Sequence, residues 1–154
     1  MTHRVFLVVV DDSPEMQAAL RFACRRAKSS DGQVALLRVI EPTEFETFAS
    51  IGNLMRAEAR EAAEQLLDKL AGDVNQMSGH LPVLHVREGN PRDELIALIA
   101  EDPSISVLDL AADTGPGGPG PLVSALTGKY IGKLRVPLTL VPGGLSDEQI
   151  DAIT

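Results

Sequence analysis

The sequence predicts an α/β protein built on a single doubly wound, parallel five-stranded sheet, and three observations lead to this prediction. Short apolar runs alternate with longer segments of helical periodicity along the whole chain. The apolar runs are nearly continuous, as in strands that helices cover on both faces. Right-handed crossovers between such strands make 3-2-1-4-5 the leading strand order. Neither an internal repeat nor a linker interrupts the pattern, so we expect residues 1–154 to form one domain.

The first strand and helix are predicted from an apolar run that precedes a helix-start signal. Strand 1 is RVFLVVV (4–10), and Ser13 followed by Pro14 is expected to begin the first helix as cap and first-turn proline. Five residues share the helical face expected to pack on the sheet: Met16, Ala19, Leu20, Ala23 and Ala27. Gly32 should close this helix before strand 2, VALLRVI (34–40).

The middle of the chain is predicted to hold a long connection, two helices and the third strand. Residues 41–53 are interpreted as the connection, and a helix is expected at roughly 54–77. Its buried stripe should comprise Ala59, Ala63, Leu66, Leu70 and Met77. Strand 3 is LPVLHV (81–86). Asn90 as cap and Pro91 at the first helical position predict the next helix, with three core residues, Leu95, Ile96 and Ile99.

The last third of the chain is predicted to contain two strands separated by a loop rich in glycine and proline. Strand 4 covers 105–111, and the loop belongs to the segment DTGPGGPGPLVSALTGKY (113–130). A short helix is expected at 122–133. Strand 5 is PLTLV (137–141), and its leading proline suits a sheet edge because proline lacks a ladder donor. Residues 145–153 should form a capped tail helix.

Composition and charge narrow the classes of function. The chain has 14 basic and 22 acidic residues, which gives a formal net charge of −8. Such a surface repels nucleic acids and anionic membranes, so we expect neither as a partner. The start of the chain is interpreted as a strand and not a signal peptide, and the one cysteine leaves no internal disulfide, so we expect a cytoplasmic location. The three histidines are scattered along the sequence, and no metal site is expected.

The predicted topology brings two unrelated sequence features to one crevice. In a doubly wound sheet the ligand lies at the carboxyl ends of the strands where the winding reverses, here between strands 1 and 4. Strand 1 ends at Asp11 and Asp12, and strand 4 leads into the glycine-proline loop. No pair of nucleophile and base can be read from these segments. We therefore expect a binding site without catalytic residues.

The loop does not fit either of two phosphate-binding motifs. GPGGPG (115–120) has the spacing of the dinucleotide fingerprint, but that motif follows the first strand and needs an acidic residue about 20 positions later, where Leu140 stands. The Gly-Lys pair at 128–129 suggests a P-loop. That motif requires a glycine where Val123 stands, and Ser or Thr where Tyr130 stands.

Several segments of the chain, which together cover nearly its full length, resemble the universal stress protein family. The similar segments are FLVVVDDSPEMQAALRFACRRA, ALLRVIEP, VREGNPRDELIALI and RVPLTLVPG. Gly115, Gly118 and Gly128 reproduce the family spacing G-x2-G-x9-G, which Ser or Thr follows in the family. The resemblance implies a flavodoxin-like sheet and a homodimer formed through the last strand. In one branch of the family it also implies bound ATP together with Mg²⁺, with weak ATP hydrolysis as the most that we expect of an enzymatic activity.

The resemblance also implies roles for individual residues. Asp11 would hold the nucleoside, and Val39 would line the adenine pocket. The three glycines, Gly115, Gly118 and Gly128, would present backbone amides to ribose and phosphates. Lys129 stands in place of the family's phosphate-binding hydroxyl and would meet a phosphate as a point charge.

Three hypotheses for function remain open from the sequence. Pro116, Pro119 and Pro121 remove three amide donors from the loop, which favours a dimeric interaction module that binds no nucleotide. Asp11 and the glycines favour a stress-response protein that binds ATP. The third hypothesis is a receiver-like phosphorylation switch, since VVVDDSPEMQAALR also resembles the start of a receiver. Such a switch needs a third carboxylate, the phosphate acceptor, at the end of strand 3 and a lysine at the end of the last strand. The sequence has Glu88 and Pro142 at these places, so the aspartate acceptor and the cation are lacking.

Two residues within the predicted elements call for an interpretation of their own. Asp109 falls inside strand 4, where a charge is costly unless it has a partner, so we expect it to be partly exposed or paired. Cys24 is expected to be a small core residue.

Overall fold

The computed structural model describes residues 3–42 and 49–154, and it contains a five-stranded sheet of order β3-β2-β1-β4-β5. All four strand pairs are parallel. The predicted fold class and strand order are therefore confirmed. The strands are β1 (Val5–Val9), β2 (Gln33–Ile40), β3 (Val83–Glu88), β4 (Ile105–Ala112) and β5 (Leu138–Pro142).

The helices cover both faces of this sheet. They are α1 (Met16–Ser30), α2 (Ala49–Ser78), α3 (Pro91–Glu101), α4 (Pro121–Thr127) and α5 (Asp147–Ile153), with a short 3-10 helix at Ile131–Lys133. Within the described part of the chain, no helix combines the length and the apolar character that crossing a membrane requires.

Alternate residues of the strands point to two separate hydrophobic clusters. Phe6 and Val8 of β1 join the cluster that α1, α2 and α5 complete. Val5 and Leu7 join the cluster on the opposite face, to which α3 and α4 contribute. This alternation follows from the period of two residues along a strand. The nearly continuous apolar strands are thus explained by burial on both sides.

The start of α1 differs from the prediction that Ser13 is its cap. The helix begins at Met16, and the preceding Glu15 makes no side-chain cap hydrogen bond. The reason is that Asp11 draws Ser13 into a turn, because Asp11 Oδ1 accepts hydrogen bonds from the Ser13 backbone N–H at 2.9 Å and its hydroxyl at 2.5 Å. Ser13 is therefore part of the link between β1 and α1.

The end of α1 also depends on two residues instead of one. Asp31 takes the left-handed conformation expected of Gly32, with φ 53°. Gly32 is needed for a different reason: a Cβ there would lie 2.6 Å from the carbonyl oxygen of Arg4. The glycine thus allows the chain to pass close to the beginning of β1 before it enters β2.

Helix α2 starts before its predicted limit and presents a wider row of side chains to the core than predicted. It begins at Ala49, so part of the predicted connection at 41–53 is helical, while 43–48 lie outside the described residues. The fully buried apolar positions are Ala63, Leu67, Leu70 and Val74. Ala63 and Leu70 belong to the predicted stripe, whose other members, Ala59, Leu66 and Met77, are partly buried against the core. Leu67 and Val74 extend the buried face beyond that stripe.

The remaining helix limits show which end signals were decisive. Asn90 caps α3 through its side chain, which accepts from the Asp93 N–H, and Ser146 with Gln149 forms a capping box on α5. The predicted helix at 122–133 is wrong as a continuous element. It breaks at Gly128, whose φ −110° and ψ −117° are not helical, and resumes as the short 3-10 helix.

Cys24 is expected to be chemically inert in the folded protein. Its side chain lies on the fully buried face of α1, and this burial raises the pKa of the thiol to about 12. At pH 8 the reactive thiolate is then about one ten-thousandth of the population. We expect a thiol-specific reagent to label the native protein at least about a hundredfold more slowly than the urea-unfolded chain. Rapid labelling of the native protein would contradict this environment.

Candidate functional site

A cavity of about 100 Å³ lies at the carboxyl edge of the sheet, where the winding reverses. The chain proceeds from β1 outward to β2 and β3, and β4 then returns to the other side of β1. The cavity is bordered by both central strands, the start of α1 and the loop after β4, with Val9, Asp11, Glu15, Leu110, Gly120 and Leu122 among its lining residues. The structure therefore places a concave site where doubly wound sheets bind ligands.

Asp11 is held in a defined orientation at this cavity. It lies two residues after the end of β1, and its Oδ1 accepts both hydrogen bonds from Ser13. Within the part of the chain that the structure describes, Oδ2 has no hydrogen-bond partner and is free to accept one from a ligand. Glu15 adds a second carboxylate to the same wall. The two acids suit a ligand with hydroxyl or amino donors.

The loop after β4 uses its backbone amides internally. Gly115 N–H donates to the Asp113 carboxylate at 2.8 Å, and Gly118 N–H donates to the Gly115 carbonyl at 3.0 Å. The Asp113 N–H donates to the Pro119 carbonyl at 3.1 Å, which closes the loop on itself. The amides of Gly115 and Gly118 are thus occupied by hydrogen bonds within the loop, while Gly120 borders the cavity.

Lys129 belongs to a group of cations around Tyr130. The Arg92 guanidinium lies 4.2 Å from the ring centroid, and the Nζ atoms of Lys129 and Lys133 lie 5.6 and 5.5 Å from it. We call this group of four residues the Tyr130 cluster. It concentrates positive charge on a chain whose net charge is −8. Gly128 leads into it from the end of α4.

The predicted site residues are therefore distributed over three places. Asp11 borders the cavity, and Gly115 and Gly118 lie in the loop that covers it. Gly128 and Lys129 lie past the far end of α4, about 10 Å from its start. Val39 is 8% exposed and does not border the cavity; it packs in the core cluster that also contains the cavity-lining residues Leu110 and Val123.

Sequence reasoning missed Glu15, Arg92 and Lys133 as members of this region. Glu15 could have been found because it lies four residues after Asp11, in the segment that links β1 to α1. Arg92 lies in the first turn of a helix that starts at the carboxyl edge of the sheet. Lys133 lies in the short 3-10 helix, and only the folded position of this helix relative to α3 brings Lys133 and Arg92 to the same Tyr130 ring.

Asp109 contradicts the expectation of partial exposure or pairing. It is 0% exposed, and among the described residues neither carboxylate oxygen finds a hydrogen-bond partner. Burial raises the pKa of this carboxyl to about 7, while the Thr139 side chain and the charge of Arg26 act in the opposite direction. The residue lies in β4 between Val8 and Thr139 and is not among the residues that border the crevice.

A cavity at the switch point, with an acidic residue after β1 and a glycine-containing loop after β4, defines a class of doubly wound α/β proteins that take ligands at this edge. The particular family follows from the sequence, because the model of the universal stress protein family matches residues 2–142. The chain belongs to the universal stress protein family.

Solved structures share this fold at low sequence identity. The universal stress protein UspA from Lactobacillus plantarum is 21% identical, with a TM-score of 0.72 over 92% of this chain and 99% of that one. A universal stress protein from Archaeoglobus fulgidus in complex with dAMP is 16% identical, with a TM-score of 0.54 over 92% and 98% of the two chains. Another universal stress protein, in complex with cAMP, is 16% identical, with a TM-score of 0.55 over 94% and 100%. Among proteins with curated descriptions, none matches this sequence significantly.

Proposed function

We propose that this protein binds an adenine nucleotide, ATP in particular, in the crevice between β1 and β4 as part of a stress response. The observation that carries the proposal is the cavity at the switch point with the open Oδ2 of Asp11 in its wall. Membership of the family supports it, as do the two neighbours solved with cAMP and dAMP.

The donor and acceptor groups suit the two ends of a nucleotide differently. Asp11 and Glu15 are acceptors and suit the ribose hydroxyls. The Tyr130 cluster is cationic and suits the phosphates, which would pass along α4 for about 10 Å. Lys129 thereby replaces the backbone amides that the loop uses internally. Gly115 and Gly118 would then shape the loop, and Gly128 would lead the chain to the cluster.

The size of the cavity requires the loop to move when a nucleotide binds. Its volume of about 100 Å³ is below the ~300–1,000 Å³ of ordinary ligand pockets. The residues that narrow it include Pro119, Gly120 and Pro121, so displacing this segment enlarges the crevice without disturbing the sheet. Among the described residues no group of three His, Cys, Asp or Glu could hold a metal ion, and Mg²⁺ would therefore enter on the phosphates of ATP.

The first experiment identifies the bound molecule and measures its affinity. Freshly purified protein is heat-denatured, and the supernatant is analysed by mass spectrometry for adenine nucleotides. Calorimetry with ATP and Mg²⁺ follows on protein freed of ligand. We expect released ATP or ADP, or saturable ATP binding. Absence of both would overturn the proposal.

Two pairs of variants test the assigned ends of the nucleotide. Lys129→Gln should weaken ATP binding about tenfold and adenosine binding much less, because it removes a charge that meets phosphate. Lys69→Gln, an exposed lysine of α2, is the matched control. Asp11→Asn should weaken both ligands, and Asp68→Asn on α2 is its control. Equal losses of ATP affinity in Lys129→Gln and Lys69→Gln would remove Lys129 from the site.

A second candidate function is a dimeric interaction module that binds no nucleotide. The closed hydrogen bonding of the loop and the small cavity favour it. Within the described sheet β5 pairs with β4 alone, so its outer edge is available to a second copy of the chain. Sedimentation with and without ATP distinguishes the candidates, because this module would dimerise in the absence of any nucleotide affinity. In both cases we expect the cytoplasmic location predicted from the sequence.

A further inference from the structure

A second cavity lies on the α1 side of the sheet, apart from the crevice. Its volume is about 410 Å³, which is within the range of small-molecule pockets. Its wall includes Arg4, Phe6, Phe22, Arg26, Asp109 and Thr139. None of these residues borders the crevice. Arg4 precedes β1 and Asp11 follows it, about 20 Å away along the extended chain, while Asp109 of the second cavity directly precedes Leu110 in the wall of the crevice.

Asp109 gives this second cavity an unsatisfied acceptor group. Its position in β4 directs it to the same side of the sheet as Phe6, since Val107 and Ala111 on the same face pack against the α1 cluster. The side chain is fully buried, and neither oxygen has a hydrogen-bond partner among the residues described. A carboxyl group in this situation is stabilised by any ligand that donates hydrogen bonds or carries a positive charge.

Arg4 and Arg26 supply donors at the same cavity. Neither guanidinium forms an ion pair within the described ranges 3–42 and 49–154. By contrast, Arg21 and Arg25, which lie on α1 like Arg26, are both paired with Asp151. A guanidinium group presents parallel N–H donors that match the two oxygens of a carboxylate. The cavity therefore offers two unpaired cations for an anionic group and one buried acid for a cationic group.

Apolar surface lies beside these charged groups. Phe6 is 5% exposed, Phe22 is half-buried, and Val107 also borders the cavity. A ligand that contacts all of the wall would combine an ammonium group, a carboxylate and an apolar body. We propose that this cavity binds a free α-amino acid with an apolar side chain, its ammonium group on Asp109 and its carboxylate on Arg4 and Arg26.

The test uses three probes that differ in one charged group each. L-phenylalanine carries both groups, phenethylamine lacks the carboxylate, and 3-phenylpropanoate lacks the ammonium. Each is titrated up to its solubility limit into ¹⁵N-labelled full-length protein, and amide shifts are followed. We expect saturable shifts with L-phenylalanine in Phe22–Arg26 and Val107–Leu110, and at least about tenfold weaker binding of each single-charge probe. Absence of saturable shifts in these segments, or equal binding of the three probes, would overturn the proposal.

Variants assign the two contacts separately. Asp109→Asn should weaken L-phenylalanine about tenfold and leave 3-phenylpropanoate unchanged, because the latter makes no ion pair with the acid. Arg26→Gln, at a half-buried position on α1, should weaken L-phenylalanine and 3-phenylpropanoate alike. Asp68→Asn is the control for a carboxylate lost elsewhere. An unchanged affinity of Asp109→Asn for L-phenylalanine would show that the buried acid does not hold the ammonium group.

Discussion

Asp109→Asn is expected to raise the free energy of unfolding at pH 8 by about 2–4 kcal/mol. Burial raises the pKa of Asp109 from an ordinary value of 3.8 to about 7. A difference of about three pH units corresponds to about 4 kcal/mol that the folded protein loses when the carboxyl ionises. Asparagine does not ionise, so the variant avoids this loss. Its amide would also lack hydrogen-bond partners at this position, and the expected gain is therefore smaller than about 4 kcal/mol.

The sign of the effect determines the pH range of the measurement. The folded state holds the Asp109 proton more tightly than the unfolded chain, so this contribution to stability is complete below about pH 3.8 and is lost as the pH rises toward about 7. Urea unfolding at pH 5 and pH 8 should therefore show a gain for Asp109→Asn that is larger at pH 8. Burial lowers the pKa of His85, which acts in the opposite direction, so the difference between variant and wild type is the quantity to compare.

The matched substitution Asp68→Asn should be within about 0.5 kcal/mol of the wild type at both pH values, because Asp68 is exposed on α2. A gain for Asp109→Asn that is equal at pH 5 and pH 8 would show that the carboxyl does not titrate in this range. A loss at both values would show that the ionised carboxylate has a partner in solution.

The strand order and most element types could be predicted because they depend on local patterns. Apolar runs locate all five strands, and alternation with helices implies parallel pairing. The cap of α3 at Asn90 was predicted, and so was a capped tail helix, because each cap is a signal within a few neighbouring residues; the structure identifies the second cap as Ser146. The start of α1 was not predicted, because the decisive interaction is the turn that Asp11 imposes on Ser13.

The candidate site could be predicted in part for the same reason. Asp11 and the glycine-proline loop follow directly from strand ends and topology. The glycine spacing does not show that the loop amides donate within the loop, because this depends on the Asp113 carboxylate, which accepts from the Gly115 N–H. The burial of Asp109 depends on which neighbours cover its face of β4, and the Tyr130 cluster depends on how α4 lies beside α3.

Gly118→Ala is expected to lower the free energy of unfolding by about 1–3 kcal/mol and to weaken ATP binding at least about tenfold. A Cβ at this position would lie 1.8 Å from the Asp113 carbonyl oxygen and 2.7 Å from its carbon. Both are backbone atoms, so the clash cannot be relieved by a side-chain rotation. The loop must open between Asp113 and Gly118, and the hydrogen bond from Gly118 N–H to the Gly115 carbonyl would be disturbed with it.

Gly117→Ala provides a control within the same loop. Its Cβ would lie 3.9 Å from Asp113 Oδ2, an ordinary contact, so we expect stability within about 0.5 kcal/mol and unchanged ATP affinity. Urea unfolding and ATP calorimetry on both variants separate the two roles of the loop. If Gly118→Ala loses stability and keeps its ATP affinity, the loop closes the crevice without contributing to binding. If stability and ATP affinity both fall in Gly118→Ala, the closed shape of the loop is part of the site. The prolines would then maintain that shape but remove amide donors, and Lys129 would supply the contact with phosphate in their place.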